Sequence, residues 1–216
     1  MNAHFQYILK QIELNPKLVF NIYPYGSEVY GTLKPQSDRD YIMVLKQEEP
    51  EIQLEKIGLL SQKVKQLGTY NVTCYSPTKF QEILTEHNPA ALECYYLPKT
   101  DKYESYLFDF HLNIEKLRRS FATVSSNSWV KCKKKMEQGD DYLGKKSLFH
   151  ALRILDFGIQ IAENKQINFR KPYALSNSTF ENLWQEIDKN NTWMELKIQF
   201  QPHFPILLQK YHFIII

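Results

Sequence analysis

The chain has 216 residues, which suits one large domain or two small ones. With 43% hydrophobic and 14% aromatic residues it can bury a sizeable core, and its 24% charged fraction is near that of ordinary globular domains. A net charge of +3 excludes a strongly basic nucleic-acid coat but leaves room for a local basic patch. Cys74, Cys94 and Cys132 are far apart and form no C-x-x-C pair, which argues against a zinc site or a disulfide frame. Buried or idle thiols fit the cytoplasm or another reducing compartment. No apolar run approaches the roughly 18–20 residues of a membrane span, and the amphipathic stretch Met1 to Leu14 lacks a signal-peptide pattern, so no membrane partner is expected.

In chain order, residues 3–14 read as a helix and Leu18 to Tyr23, between Pro16 and Pro24, as a buried strand. A short helical turn is expected after Gly26, and a second strand over Asp40 to Leu45. Ile52, Leu59, Leu60, Val64 and Leu67 recur at helical spacing, predicting a helix over Glu51 to Leu67. Tyr70 to Tyr75 alternates as a third strand. Ser76-Pro77 then reads as N-cap and first position of a helix. From about Asp109 to Asn164 the pattern is helical and rich in Lys and Arg. The tail holds turns at Pro172, Ser176 to Ser178, Asn190-Asn191, Pro202 and Pro205, with a further helix around 178–189. Phe213 to Ile216 reads as a docked strand or helix end. The fold class is therefore α+β: a small mixed sheet flanked by helices over 1–108, then a helical domain over 109–216 that closes a ligand cleft.

Between the first two strands lie Gly26-Ser27 and Asp38-Arg39-Asp40. Residues i and i+2 of a strand share a face, so Asp38 and Asp40 aim both carboxylates one way. Two hard oxygen ligands suit Mg²⁺, which completes its shell with water and substrate phosphates. Like charges held that close repel unless a cation lies between them. Backbone N–H groups at a glycine turn opening a helix form a phosphate cradle, to which the Ser27 hydroxyl adds a donor. Each element alone is also ordinary turn chemistry; their joint spacing is the more specific signal.

That spacing resembles the nucleotidyltransferase superfamily that includes DNA polymerase β and the aminoglycoside nucleotidyltransferases. The pattern there is Gly-Ser, about a dozen residues, then Asp-x-Asp with apolar flanks; here it reads Gly26-Ser27, then Asp38-Arg39-Asp40-Tyr41-Ile42, with Gly31-Thr32 and Ser37 as in the extended form. The resemblance continues through residues 70–97 and into 145–167. It implies transfer of a nucleoside monophosphate from an NTP to a hydroxyl, with release of pyrophosphate. Asp38 and Asp40 would be catalytic and hold Mg²⁺ or Mn²⁺, and Gly26, Ser27 and Ser37 would bind the nucleotide. Polymerase-β-like sites usually carry a third carboxylate on the next strand. The matching strand, Tyr70 to Tyr75, has no acid, and Asn71 or Thr73 stands near that position. An Asn offers a carbonyl oxygen but accepts no proton at neutral pH. Glu28, Glu86 and Glu93 are candidate substitutes.

In the helical half Lys146, His150 and Arg153 recur at i, i+4 and i+7, opposite a stripe of Leu148, Leu152, Leu155 and Ile159. This basic face is either solvated or a further nucleotide-binding element, since both Lys and Arg suit phosphate. Lys131, Lys133, Lys134 and Lys135, with Trp129 before them, are either a solvated face or a track for a polynucleotide backbone, although few aromatics interleave for base stacking. His87 and His203 read as structural. The expected partner is an NTP, with an acceptor left open among RNA, protein and small molecules. The alternatives are a degenerate homologue that binds nucleotide or a partner without turnover, and an interaction module whose Asp-x-Asp is only a turn.

Overall fold

The computed structural model describes residues 3–11, 14–35, 37–46, 64–67 and 69–213. Apolar and aromatic runs form the sheet strands β1 (Val19–Tyr25), β2 (Arg39–Leu45), β3 (Val64–Leu67), β4 (Tyr70–Tyr75) and the two-residue β5 (Tyr103–Glu104), in the order β3-β4-β2-β1-β5. β2 is parallel to β4, and the other pairings are antiparallel, so the sheet is mixed. Pro24 lies within β1 rather than bounding it. It is tolerated because β5 pairs only with Asn21 and Ile22, so the residues around Pro24 have a strand neighbour on one side alone.

Strand alternation divides the sheet into two faces. Ile22, Tyr41, Met43, Val72 and Cys74 pack with Phe5, Ile8 and Leu9 of helix α1 (Ala3–Gln11). On the opposite face Tyr23 stacks on Phe80 of α3 (Pro77–Thr85), ring centroids 5.7 Å apart, and Phe80 meets Phe108 at 4.8 Å. Helix α3 starts as expected: the Ser76 hydroxyl accepts the Lys79 N–H at 3.2 Å, with Pro77 in the first turn. The short α2 (Ser27–Tyr30) follows β1, and α4 (Pro89–Tyr96) follows α3. Asn21 is fully buried; its carbonyl accepts the N–H groups of Ser105 and Tyr106, each at 3.0 Å, and its amide donates to the Tyr23 hydroxyl at 2.7 Å.

The helical part is built on α5 (Ile114–Glu137) and α6 (Asp141–Asn164), an antiparallel hairpin. It turns at Gly139, whose φ of +76° is a left-handed conformation that glycine adopts without strain. The Asn113 side chain caps α5, and the Asp140 side chain accepts the Leu143 N–H at the start of α6. Helices α7 (Phe180–Asp188), α8 (Trp193–Phe200) and α9 (His203–Phe213) complete it, α8 with a capping box between Thr192 and Glu195. Buried Asp156 accepts the Tyr173 N–H at 3.0 Å and the Ala174 N–H at 2.6 Å, fixing the loop ahead of α7. Burial pushes its carboxyl up despite these donors.

The structure corrects several sequence expectations. Val64 to Leu67 form β3, not the end of a helix; the rest of that predicted helix, 51–63, lies outside the described residues. Valine and leucine serve either element, and pairing with β4 decides the outcome here. Helix α6 has no single apolar stripe, because it is buried nearly all round from Ser147 to Ile161. Pro205 marks no turn but sits in the first turn of α9, where a missing N–H costs nothing. Helix α8 was not expected. Phe213 ends α9, and the rest of the apolar terminus, 214–216, lies outside the described residues. The three cysteines are buried and free.

The chain divides into two compact units. One comprises residues 1–29, 33–85 and 90–111; the other comprises 30–32, 86–89 and 112–216. No helix among the described residues is long and apolar enough to cross a membrane.

Candidate functional site

Strand register sets the geometry in the sheet unit. Tyr25, the last residue of β1, pairs with Asp40 near the start of β2, and Asp40 pairs in turn with Asn71 of β4. Tyr25, Asp40 and Asn71 thus form a cross-strand row on the face away from α1. Gly26 follows with φ +76°, and a Cβ built on it would lie 2.7 Å from Oδ2 of Asp40. The Asp40 carboxylate occupies the space that any other residue at 26 would fill. Gly26 is therefore required twice, by its backbone conformation and by this close approach. Ser27 opens α2, and the Gly26 carbonyl accepts the Val29 N–H at 3.0 Å, closing the turn.

Asp38 is exposed, lies just before β2, and enters no hydrogen bond or ion pair among the described residues. Asp40 is half-buried, and its Oδ1 accepts a hydrogen bond from the Asn71 side-chain amide at 3.1 Å. The register separates the two candidates for the third position: Asn71 stands beside Asp40, whereas Thr73 stands beside Ile42. Ser37 closes the preceding turn, its hydroxyl accepting the Lys34 N–H at 3.1 Å and its own N–H donating to the Lys34 carbonyl at 2.9 Å.

The candidate substitute acids are placed differently. Glu28 forms an ion pair with Arg39, the residue between the two aspartates, and accepts a long bond from the Tyr41 hydroxyl at 3.4 Å. Burial, then Glu28, holds the Tyr41 phenol well above its usual range, so it remains a donor. Glu93 is buried on α4, and Glu86 is exposed in the segment that belongs to the helical unit. His87 is buried, and its Nε2 accepts the Asn113 N–H at 2.8 Å, supporting the start of α5. That is a structural role. Of the extended motif, Gly31 belongs to the helical unit, where a side chain would collide with the Arg170 guanidinium.

In the helical unit Lys146 is exposed, His150 is half-buried and Arg153 is 1% exposed. The Arg153 guanidinium lies 3.8 Å from the centroid of the Tyr30 ring and 4.9 Å from that of Phe157. Its Nη2 donates to Nδ1 of His150 at 2.9 Å. Burial, then Arg153, Lys131 and Lys146, push the His150 imidazole down to about 3, so it is neutral near pH 7. The spacing of these residues was legible in the sequence; the inward turn of Arg153 toward two rings was not.

A family model for a nucleotidyltransferase domain matches residues 6–112. Among solved structures the chain is similar to spectinomycin adenyltransferase AAD(9) from Enterococcus faecialis, a crystal structure with ATP and spectinomycin. The identity is 15%, the match covers 96% of each chain, and the TM-score is 0.45. It is also similar to a nucleotidyltransferase-like protein from Exiguobacterium sibiricum, at 10% identity over 97% of this chain and 72% of that one, with a TM-score of 0.30. No curated protein matches the chain.

Two outcomes follow from this geometry. Gly26→Ala is expected to cost about 1–2 kcal/mol from the left-handed backbone alone. It should also displace the Asp40 carboxylate from its Asn71 hydrogen bond, so urea unfolding should show a larger loss for Gly26→Ala than for Gly139→Ala, where an added Cβ meets nothing. Equal losses in the two variants would mean that the contact does not set the carboxylate. The second concerns pH. His150 is depressed from 6.5 to about 3 in the folded chain, so the unfolded chain takes up the proton first. Its contribution to stability is therefore complete above about pH 6.5 and is lost as pH falls toward 3. Between pH 7 and 5 about 2 kcal/mol should disappear. Urea unfolding of His150→Gln should lack that part of the loss.

Proposed function

Starting from a chain that belongs, through residues 6–112, to the nucleotidyltransferase domain family, we propose that it transfers a nucleoside monophosphate from an NTP to a hydroxyl acceptor at the Gly26-Ser27 and Asp38/Asp40 end of the sheet. The observation that carries this reading is the packing of the Asp40 carboxylate against Gly26, which joins the two halves of the motif at one sheet end. An ordinary solvated turn would have no need of that contact.

The donor set fits a divalent cation in the manner of magnesium or manganese. Asp38 is exposed beside β2, Asp40 is held by Asn71, and Gly26, without a Cβ, lets the Asp40 carboxylate lie against it. No cluster of three His, Cys, Asp or Glu residues suited to a metal occurs among the described residues. Asp38 and Asp40 would hold the cation, leaving its other positions to phosphate oxygens and water, as is usual for Mg²⁺. When bound, the cation neutralises charge on the transferred phosphoryl group and on the leaving pyrophosphate.

The chain's own residues have separate tasks in this reading. Asp38 and Asp40 would hold the cation that neutralises the phosphates, and Asn71 fixes the Asp40 carboxylate by its hydrogen bond. Gly26 and Ser27 present backbone N–H groups and a hydroxyl to the phosphates. The acceptor oxygen forms a bond to the α-phosphorus. The bond from that phosphorus to the bridging oxygen breaks, and pyrophosphate leaves with the electron pair. Asn71 accepts no proton, so the acceptor proton passes to solvent or to a base outside β4.

A second reading is favoured by the same Asn71: a homologue that binds nucleotide without turning it over. Pyrophosphate release, assayed with each of the four NTPs and Mg²⁺ or Mn²⁺, separates the two. Release above background that falls at least about a thousandfold in Asp38→Ala and Asp40→Ala is the expected result. Equal release from the double variant would remove the proposal. Asn71→Asp tests the missing acid. If release is absent in the natural chain and gained in that variant, the binding-only reading holds.

A further inference from the structure

The hairpin of α5 and α6 brings together charges that lie far apart in sequence. The Ser125 hydroxyl meets the Ala151 carbonyl at 2.9 Å, and Met136 lies against Gly144, so Lys131 is level with the turn from Lys146 to His150. Lys131 is exposed on the flank of the buried stripe Ser125–Cys132–Met136, and it acts electrostatically on His150 together with Lys146.

Several lysines of this hairpin are neutralised, whereas Lys131, Lys134 and Lys146 are not, and of these three Lys131 and Lys146 act on His150. Lys133 pairs with Glu137, Lys135 with Asp140 and Lys145 with Asp188. Lys131 and Lys146 enter no ion pair or hydrogen bond among the described residues. Both act on a histidine whose tautomer is fixed. A guanidinium only donates, so Nδ1 of His150 is the acceptor of the Arg153 bond. A neutral imidazole that accepts at Nδ1 carries its proton on Nε2 and presents a donor there. Arg153 is pinned between Tyr30 and Phe157 and keeps that orientation. The hairpin thus carries two exposed ammonium groups level with one imidazole N–H donor that Arg153 orients.

We infer that Lys131, Lys146 and His150 form a phosphate-class anion site within the helical unit, with Arg153 as its positioning residue. The Lys131–Lys135 run is thereby divided: Lys131 belongs to a site, while Lys133 and Lys135 are neutralised locally. The anion is either the polyphosphate of a nucleotide or a phosphate carried by the acceptor. The site itself does not depend on the transferase reading, although assigning it to the nucleotide rests on that reading.

The test is calorimetric titration of the full chain with inorganic tripolyphosphate, without divalent metal and at low ionic strength. The natural chain should bind, the Lys131→Ala/Lys146→Ala variant should lose at least about tenfold in affinity, and Lys134→Ala, an equally exposed lysine of α5, should lose nothing. No binding by the natural chain, an unaffected double variant, or an equal loss in Lys134→Ala would overturn the site. All three lysines are exposed, so these variants retain the fold. Asp40→Asn should keep metal-free tripolyphosphate affinity, so failure of the transferase reading is distinguishable from failure of this site. ATP titrations then separate the sources. ATP affinity weakened in the double variant assigns the site to the nucleotide, and ATP affinity unchanged while tripolyphosphate binding is lost assigns it to a phosphorylated acceptor.

Discussion

The antiparallel register of β1 and β2 is the constraint on which the sheet-end site depends. Tyr25 pairs with Asp40, so the residue after Tyr25 must pass beneath the Asp40 carboxylate. That residue is Gly26, left-handed and without a Cβ. Slipping the register by one residue would send Asp40 to the face packed by α1, among Tyr41, Met43 and Val72. A carboxylate there would meet an apolar core, which is costly without a partner. The apolar residues facing α1 therefore fix the register, and the register fixes the aspartate. Core packing and site geometry are two consequences of one alternation.

Around that aspartate few charges are left unengaged. Glu28 is the nearest acid to the motif in sequence, but its carboxylate is engaged by Arg39. Asn71 lies where β4 approaches Asp40 and supplies a donor in place of a third negative charge. A third carboxylate in that row would add repulsion that only bound cations relieve. With Asn71 the Asp40 carboxylate meets a hydrogen-bond donor there instead of a like charge. The same substitution that removes a proton acceptor thus eases the assembly of the unliganded sheet.

Much of this was legible in the sequence, because short-range rules govern it. β2, β4 and the Ser76 cap follow from alternation and capping chemistry, and Asp38 and Asp40 stand out by their spacing from Gly26. What the sequence did not show is set by contacts between distant residues. Val64 to Leu67 suit a helix as well as a strand until β4 is beside them. The choice between Asn71 and Thr73 needs the parallel register with β2. Arg153 at helical spacing from Lys146 looks like part of a wet basic face, and only the fold brings Tyr30 and Phe157 around it.

The helical unit has a different problem, since it buries charge without obvious need. Asp156 and Arg153 lie one turn apart on α6, and both are almost fully buried. Asp156 is satisfied by backbone N–H groups of the 173–174 segment and by Gln160, so its charge organises a loop. Arg153 is oriented by rings and by a histidine that its own charge helps keep neutral. A neutral His150 is a poor counter-ion but a well-defined hydrogen-bond partner. A fold that needed only to fill this space would do so with an aliphatic residue, avoiding the desolvation of a guanidinium. Retaining the guanidinium beside His150 instead fixes the orientation and the tautomer of that imidazole.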